Sequence, residues 1–384
     1  MAGPAPSWRG RRIDALTSLR FFAAIGIVLG HFQSTLPLPA HHATQAFFLL
    51  AGSTVALFFV LSGFVLTLQY DALLAQPNPA AVKRYALARL ARIAPTYWLV
   101  LLLTLLAYLG TDFVVSLGGD AHTPGKTSSF IINLLALQAW VPNVTVQQFW
   151  NAPGWSISAE IFFYALLPLL LRARWLSDSR RCVAAVLVGG WLTVAASAAA
   201  LAQLAPGDAG WALFGARAPL LGLPAFVLGM VLARRHMAQA ACGPRPQGLA
   251  GSAWWPLLLL AFTAWCLVGV DLSFERTWML PQALWVSLLF GWLVWTLADE
   301  QRRTSRWLAA RWLVLLGDSS YALYLIHWLP LGFVLRGYLG APTPWLGPAV
   351  IVALVLASVL LHVRVEEPLR RWLLRRASHR ANTP

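Results

Sequence analysis

Arg20 and His31 stand eleven residues apart in TSLRFFAAIGIVLGHF (residues 17–32), a segment that is otherwise apolar. Eleven residues make about three helical turns, so the two side chains fall on nearly one face, about 16 Å apart along the axis. Ionisable groups are expensive in such a segment and by default mark a function. Arginine offers a planar fork for phosphate or carboxylate. Histidine titrates near neutral pH and suits proton transfer. The pair reads as two ends of one path, an anion held at one end and a proton moved at the other. The plainer alternative makes Arg20 a flanking charge and His31 a hydrogen-bonded interior histidine.

Three further stretches carry chemistry. NAPGWSISAEIFFY opens an apolar run and holds Glu160 about five residues in from its start, with Ser156 and Ser158 as hydroxyl candidates. Glu160 and His31 reach a similar depth, so the carboxylate is expected to orient the imidazole or to act as a base itself. GDSSYALYLIHWLP places Tyr321, Tyr324 and His327 in another run, with Tyr324 and His327 three apart on one helical face. RLAR sets Arg89 and Arg92 at i and i+3, a spacing that suits a polyphosphate. Each has a bland counterpart: serine bonded to its own backbone, an aromatic ridge around a satisfied histidine, or arginines anchoring a helix end. His41 and His42 read as solvated loop residues. Cys182, Cys242 and Cys266 have neither a disulfide pattern nor a metal-ligand spacing, and no metal site is expected.

The elements that must position these residues are membrane helices. Of 384 residues, 59% are apolar and only 11% charged, with mean hydropathy +0.65; a soluble domain carries about 25% charged residues. Ten spans are expected, at 20–38, 47–69, 93–110, 155–171, 182–204, 218–233, 254–271, 277–298, 312–336 and 344–363. This all-α, polytopic arrangement puts 25 of the 29 basic residues on the side of both termini, which the positive-inside bias assigns to the cytoplasm. Lys126, Arg217, Arg276 and Arg336 fall on the other side. The same bias explains a pI near 10.9 without nucleic acid. WRGRR precedes the first run and no cleavage site follows, so that run reads as a retained helix. Two lysines among the basic residues, and abundant alanine, suit a GC-rich bacterial genome.

The organisation is a single membrane domain over 20–363 between a segment at 1–19 and a basic tail at 364–384. RRASHRANTP reads as a disordered tail near anionic lipid. Residues 111–154 form one long external loop containing SSFIINLLALQAWVP, too short to span and suited to an interfacial or re-entrant helix. Asn143 matches a glycosylation pattern that is frequent by chance. Gly26 and Gly30 have the spacing of close helix packing.

In this order the stretches resemble the acyltransferase-3 family of integral membrane O-acyltransferases, in the stand-alone form without an SGNH domain. The likeness runs through Arg20 and His31, FFVLSGF around Ser62, Arg89 and Arg92, NLLALQAW, GWSISAE around Glu160, SYALYLIHW around His327 and VEEP near Glu367. It implies a bacterial inner-membrane enzyme that moves an acyl group, usually acetyl, from cytoplasmic acyl-CoA to a hydroxyl of an exported or cell-envelope glycan. On that reading Arg20, Arg89 and Arg92 hold CoA phosphates. His31 acts as general base or carries the acyl group, and Tyr324, His327 and Ser158 are oxyanion candidates. The loop tryptophans meet the sugar. Acetyl-CoA enters as co-substrate rather than as a bound cofactor. Acylation of a secondary metabolite, a glycan or small-molecule transporter or flippase, and a non-catalytic assembly subunit are the alternatives. Against transport, the sequence has no inverted repeat.

Overall fold

Asp14 starts the first helix, where a carboxylate complements the helix dipole, and the proline pair Pro37 and Pro39 follows its end. The computed structural model describes residues 12–39, 41–110, 125–173, 209–242, 252–268, 275–335 and 343–382, with the isolated positions 189, 190, 192 and 196. Among these residues every regular element is a helix. Helix α1 covers Asp14–His31, α2 His42–Leu74 and α3 Pro79–Gly110. The short α4 (Lys126–Leu134) and α5 (Val144–Gln148) lead to α6 (Trp155–Arg172). Then come α7 (Ala209–Arg217), α8 (Pro219–Cys242), α9 (Trp254–Leu267) and α10 (Glu275–Leu297). The chain closes with α11 (Arg303–Leu308), α12 (Arg311–Ile326), α13 (Trp328–Leu335), α14 (Leu346–Leu361) and α15 (Glu367–Asn382).

Six helical stretches among the described residues are long and apolar enough to cross a bilayer, and two shorter apolar helices accompany them. The chain is a multi-pass membrane protein. On α14 the stripe Val352, Leu356 and Leu360 is 59–67% exposed, a surface that acyl chains solvate and water would not. The expected fifth span, 182–204, lies almost wholly outside the described residues, as does the loop stretch 111–124.

Several boundaries differ from the sequence reading. Helix α1 begins six residues before Arg20 and ends at His31, so His31 terminates the helix rather than sitting seven residues inside a span ending at 38. Helix α3 begins at Pro79, well before the expected 93. Asn78 explains the start: its Oδ1 accepts from the amides of Ala80 and Ala81 at 2.9 and 3.3 Å. The expected span 312–336 is two helices that meet at His327. Pro330 has no amide hydrogen for the Ile326 carbonyl, and the helix breaks there. The C-terminal tail, expected to be disordered, is helical through Asn382.

Close helix packing occurs away from the Gly26 and Gly30 pair. A Cβ on either would stand 3.7–3.8 Å from Ala51 Cβ on α2, an ordinary contact. On the α2–α8 seam the backbones themselves touch. A Cβ on Gly63 would collide with the Phe226 carbonyl, and one on Gly229 with that of Val60. Phe163 and Phe226 stack nearby at 5.1 Å and join α6 to the same core.

Candidate active site

A cavity of about 440 Å³ runs between α1, α2, α3, α6 and α12, within the range of ligand pockets. Its mouth carries Arg12, Asp318, Glu367, Arg370 and Arg371. Its inner wall carries Arg20, Ser62, Arg89, Arg92, Glu160, Tyr164 and Tyr321, and its far end reaches Ser156 and Tyr324.

Most of the mouth charges are already matched. Arg12 binds Asp318 at 2.9 Å, and Glu367 binds Arg370 and Arg371 at 2.9 and 2.7 Å. Arg92 forms an ion pair with Glu366, whose side chain is fully buried and also lies 3.3 Å from Nδ1 of His362. Residues His362–Glu366 form a π-helical turn between α14 and α15. The wider turn is where Glu366 faces Arg92 while its neighbour Glu367 faces the mouth arginines.

Neither Arg20 nor Arg89 is in an ion pair with a described carboxylate, though Glu160 faces both across the cavity. Arg20 makes no hydrogen bond and no ion pair within the described protein. Arg89 lies over the rings of Tyr70 and Tyr164, at 5.3 and 6.0 Å, and one of its nitrogens reaches the Tyr70 hydroxyl at 3.1 Å. Its Nε is buried and unpartnered. The i and i+3 spacing of Arg89 and Arg92 therefore leads to two different surroundings: Arg92 is held by Glu366 and over Tyr321 at 5.4 Å.

At the far end Tyr324 is a wall. Its hydroxyl donates to the Pro153 carbonyl at 2.9 Å and lies 2.8 Å from Ser156 Oγ. Behind it, His31 Nδ1 meets His327 Nε2 at 2.8 Å, with the rings stacked 5.1 Å apart. Trp328 packs edge-on to His31 at 5.4 Å, and the Tyr324 ring stands 6.0 Å from His327. His327 is fully buried and His31 is exposed. The pair thus has access from the side away from the basic mouth.

Glu160 does not orient His31. Its Oε2 accepts from the Tyr164 hydroxyl at 2.9 Å, and its carboxylate faces the arginines of the cavity. One helical turn between Glu160 and Tyr164 makes that bond local to α6. Ser156 lines the cavity, whereas Ser158 is turned away, its Oγ accepting from the Ala139 amide at 3.4 Å. Tyr321 lines the wall and donates to the Ile93 carbonyl at 2.9 Å.

The external segment is a brace more than a platform. Gln138 donates to the Tyr97 hydroxyl at 3.1 Å and to the Gly154 carbonyl, fixing the start of α6. Asn143 caps α5 through the Val146 amide. Trp150, expected to meet a sugar, is buried among Phe130, Phe149 and Tyr108. Trp140 is partly open and packs on Phe162 at 5.0 Å.

Comparison with known proteins places the chain in a family. The acyltransferase-3 profile, described as an acyltransferase domain, matches residues 13–363. The chain is 28% identical to the acyltransferase MdmB of Streptomyces mycarofaciens, over 95% of this chain and 93% of that protein. It is 27% identical to the exopolysaccharide production protein ExoZ of Rhizobium meliloti (strain 1021), over 90% of this chain and 96% of that protein. No solved structure matches. The chain belongs to the acyltransferase-3 family.

Proposed function

We propose that this member of the acyltransferase-3 family transfers an acyl group, acetyl foremost, from acyl-CoA to a hydroxyl of an exported or cell-envelope glycan. The observation that carries the reading is the cavity, with unpaired Arg20 and Arg89 in its basic half and Tyr324 at its far end against the His31–His327 pair. The basic mouth is assigned to the cytoplasm of a bacterial inner membrane, where acyl-CoA is made, by the positive-inside bias. Arg20 and Arg89 bind the phosphates, and Arg92 stays with Glu366. The pantetheine arm follows the α1 face towards Tyr324 and Ser156.

In the transfer step His31 Nε2 takes the proton of the acceptor hydroxyl as its oxygen attacks the thioester carbonyl carbon. The carbonyl electron pair moves onto oxygen. Collapse re-forms the C=O bond, breaks the C–S bond and expels CoA thiolate, which the imidazolium protonates. His327 holds the His31 ring, and Tyr324 and Ser156 supply donors beside the reacting carbonyl. ExoZ, named for exopolysaccharide production, supports a glycan acceptor.

The test is mass spectrometry of envelope and secreted glycans from cells with the intact gene, without it, and with His31→Ala at matched protein level. An ester adduct present with the intact gene alone supports the reading and identifies the acyl group. Identical acylation in all three strains refutes the glycan acceptor.

A further inference from the structure

Arg217 is a cation that the proposed mechanism does not use. It ends α7, lies five residues into the membrane-crossing stretch Leu213–Ala240, and is partly buried. Its guanidinium carbon stands 5.7 Å over the Trp155 ring. Among the described residues no carboxylate pairs with it, and Nη1 is buried without a hydrogen-bond partner. A cation in a low-dielectric wall is costly unless something compensates it, and a ring face compensates only in part.

Its neighbours say where the missing anion arises. Trp155 directly precedes Ser156, whose Oγ is 2.8 Å from the Tyr324 hydroxyl. Trp155 in turn packs edge-on at 6.3 Å on Phe59, which lines the cavity. The arginine therefore stands outside the phosphate half of the cavity, behind Trp155, at the end of the cavity where Ser156 meets Tyr324. None of the described carboxylates is paired with it there. The transfer itself creates an anion, the oxygen of the tetrahedral intermediate.

We propose that Arg217 stabilises the oxyanion formed when the acceptor hydroxyl adds to the acyl carbonyl. The inference rests on the acyltransferase reading above. The new C–O bond and the oxyanion form together as His31 takes the proton. The guanidinium neutralises that oxygen until the C–S bond breaks and the charge leaves on the CoA sulfur. Charge that develops only in the transition state is where a fixed donor in a dry site has most effect.

The experiment uses the full chain in lipid nanodiscs, acetyl-CoA as donor and total envelope glycan from the expressing cells as acceptor. Thiol release gives kcat and the KM for glycan, and calorimetric titration gives the Kd for acetyl-CoA. R217A is expected to lose about 100-fold or more in kcat, with Kd and glycan KM within about threefold. R217K is expected to retain about a tenth of the rate, and added methylguanidinium to restore part of the R217A rate. An R217A rate within threefold of wild type overturns the proposal. So does a raised glycan KM with kcat preserved, which would make Arg217 an acceptor-binding cation. Should R217A not be monodisperse, R217K decides: full rate refutes the role. A wild-type protein that releases no thiol refutes the acyltransferase reading and this inference with it.

Discussion

Nδ1 of His31 lies 2.8 Å from Nε2 of His327, across 296 residues of chain. Two neutral imidazoles in contact share one proton, so one donates and the other accepts. When His31 donates from Nδ1, its Nε2 lone pair is free on the exposed side. That tautomer is the one a general base needs. His327 is fully buried at the break between α12 and α13, so on the proposed function it would act as a positioning residue.

His31→Ala is therefore expected to lower acyl transfer by about 100-fold to 10,000-fold with the fold intact, since the residue ends its helix and is exposed. His327→Leu removes the partner and is expected to cost about 10- to 100-fold, as for other groups that orient a histidine. His327→Gln keeps an acceptor and should recover most of that loss. Steady-state thiol release from acetyl-CoA, with acetyl-CoA affinity measured separately, checks all three. Equal rates for His327→Leu and His327→Gln would disprove the positioning role.

Arg20 and Arg92 line the same cavity and should respond in opposite ways. Arg20 has no bonded partner to strand, so Arg20→Ala is expected to keep the melting temperature and weaken acetyl-CoA binding by about tenfold or more. Arg92→Ala leaves Glu366 buried and uncompensated, a loss of about 3–5 kcal/mol. Replacing both partners, Arg92→Met with Glu366→Leu, should be more stable than Arg92→Ala. Detergent melting curves and calorimetric titration separate the two effects.

How far the sequence reading reached follows from what helical periodicity can encode. Arg20, Glu160, Ser156, Tyr321 and Tyr324 were legible because a polar group in an apolar helix has few reasons to be there, and all five face the cavity. Period and depth place a residue on a face, but they do not choose its partner. That is why an orienting bond from Glu160 to His31 is one expectation, whereas the carboxylate bonds Tyr164 one turn away. Glu366 was hidden for a different reason. The π-helical turn departs from the 3.6-residue period and separates it from Glu367, so the pairing of Glu366 with Arg92 cannot be read from VEEP. Arg217 was visible as one of four basic residues away from the basic side, and only the structure puts it over Trp155. The short α13 and the early start of α3 escaped because Pro330 and Asn78 act through single backbone bonds that hydropathy does not register.

The α2–α8 seam offers a test of packing alone. Gly63→Ala drives a methyl group into the Phe226 carbonyl, backbone against backbone. The helices must separate, at a cost of about 1–3 kcal/mol. Gly26→Ala, in the more conspicuous motif, finds an ordinary contact with Ala51 and should change stability by no more than about 0.5 kcal/mol. Melting midpoints of the two variants in one detergent check this, and a larger loss at Gly26 would contradict the seam.

Tyr324 separates the arginine half of the cavity from the histidine pair; its ring packs on Phe58 and His327, and its hydroxyl meets Pro153 and Ser156. An arriving thioester must take over those bonds. On the proposed function the hydroxyl would then donate to the carbonyl oxygen on which charge develops. Tyr324→Phe keeps the ring that packs at 6.0 Å on both Phe58 and His327, so acetyl-CoA affinity is expected within about twofold of wild type. Transfer should fall by about 10- to 100-fold, the effect of losing one donor to an oxyanion. Because both residues are proposed to stabilise the same oxyanion, the double variant Tyr324→Phe with Arg217→Ala should lose less than the product of the two single losses. A fully multiplicative loss in kcat would place the two residues at independent steps.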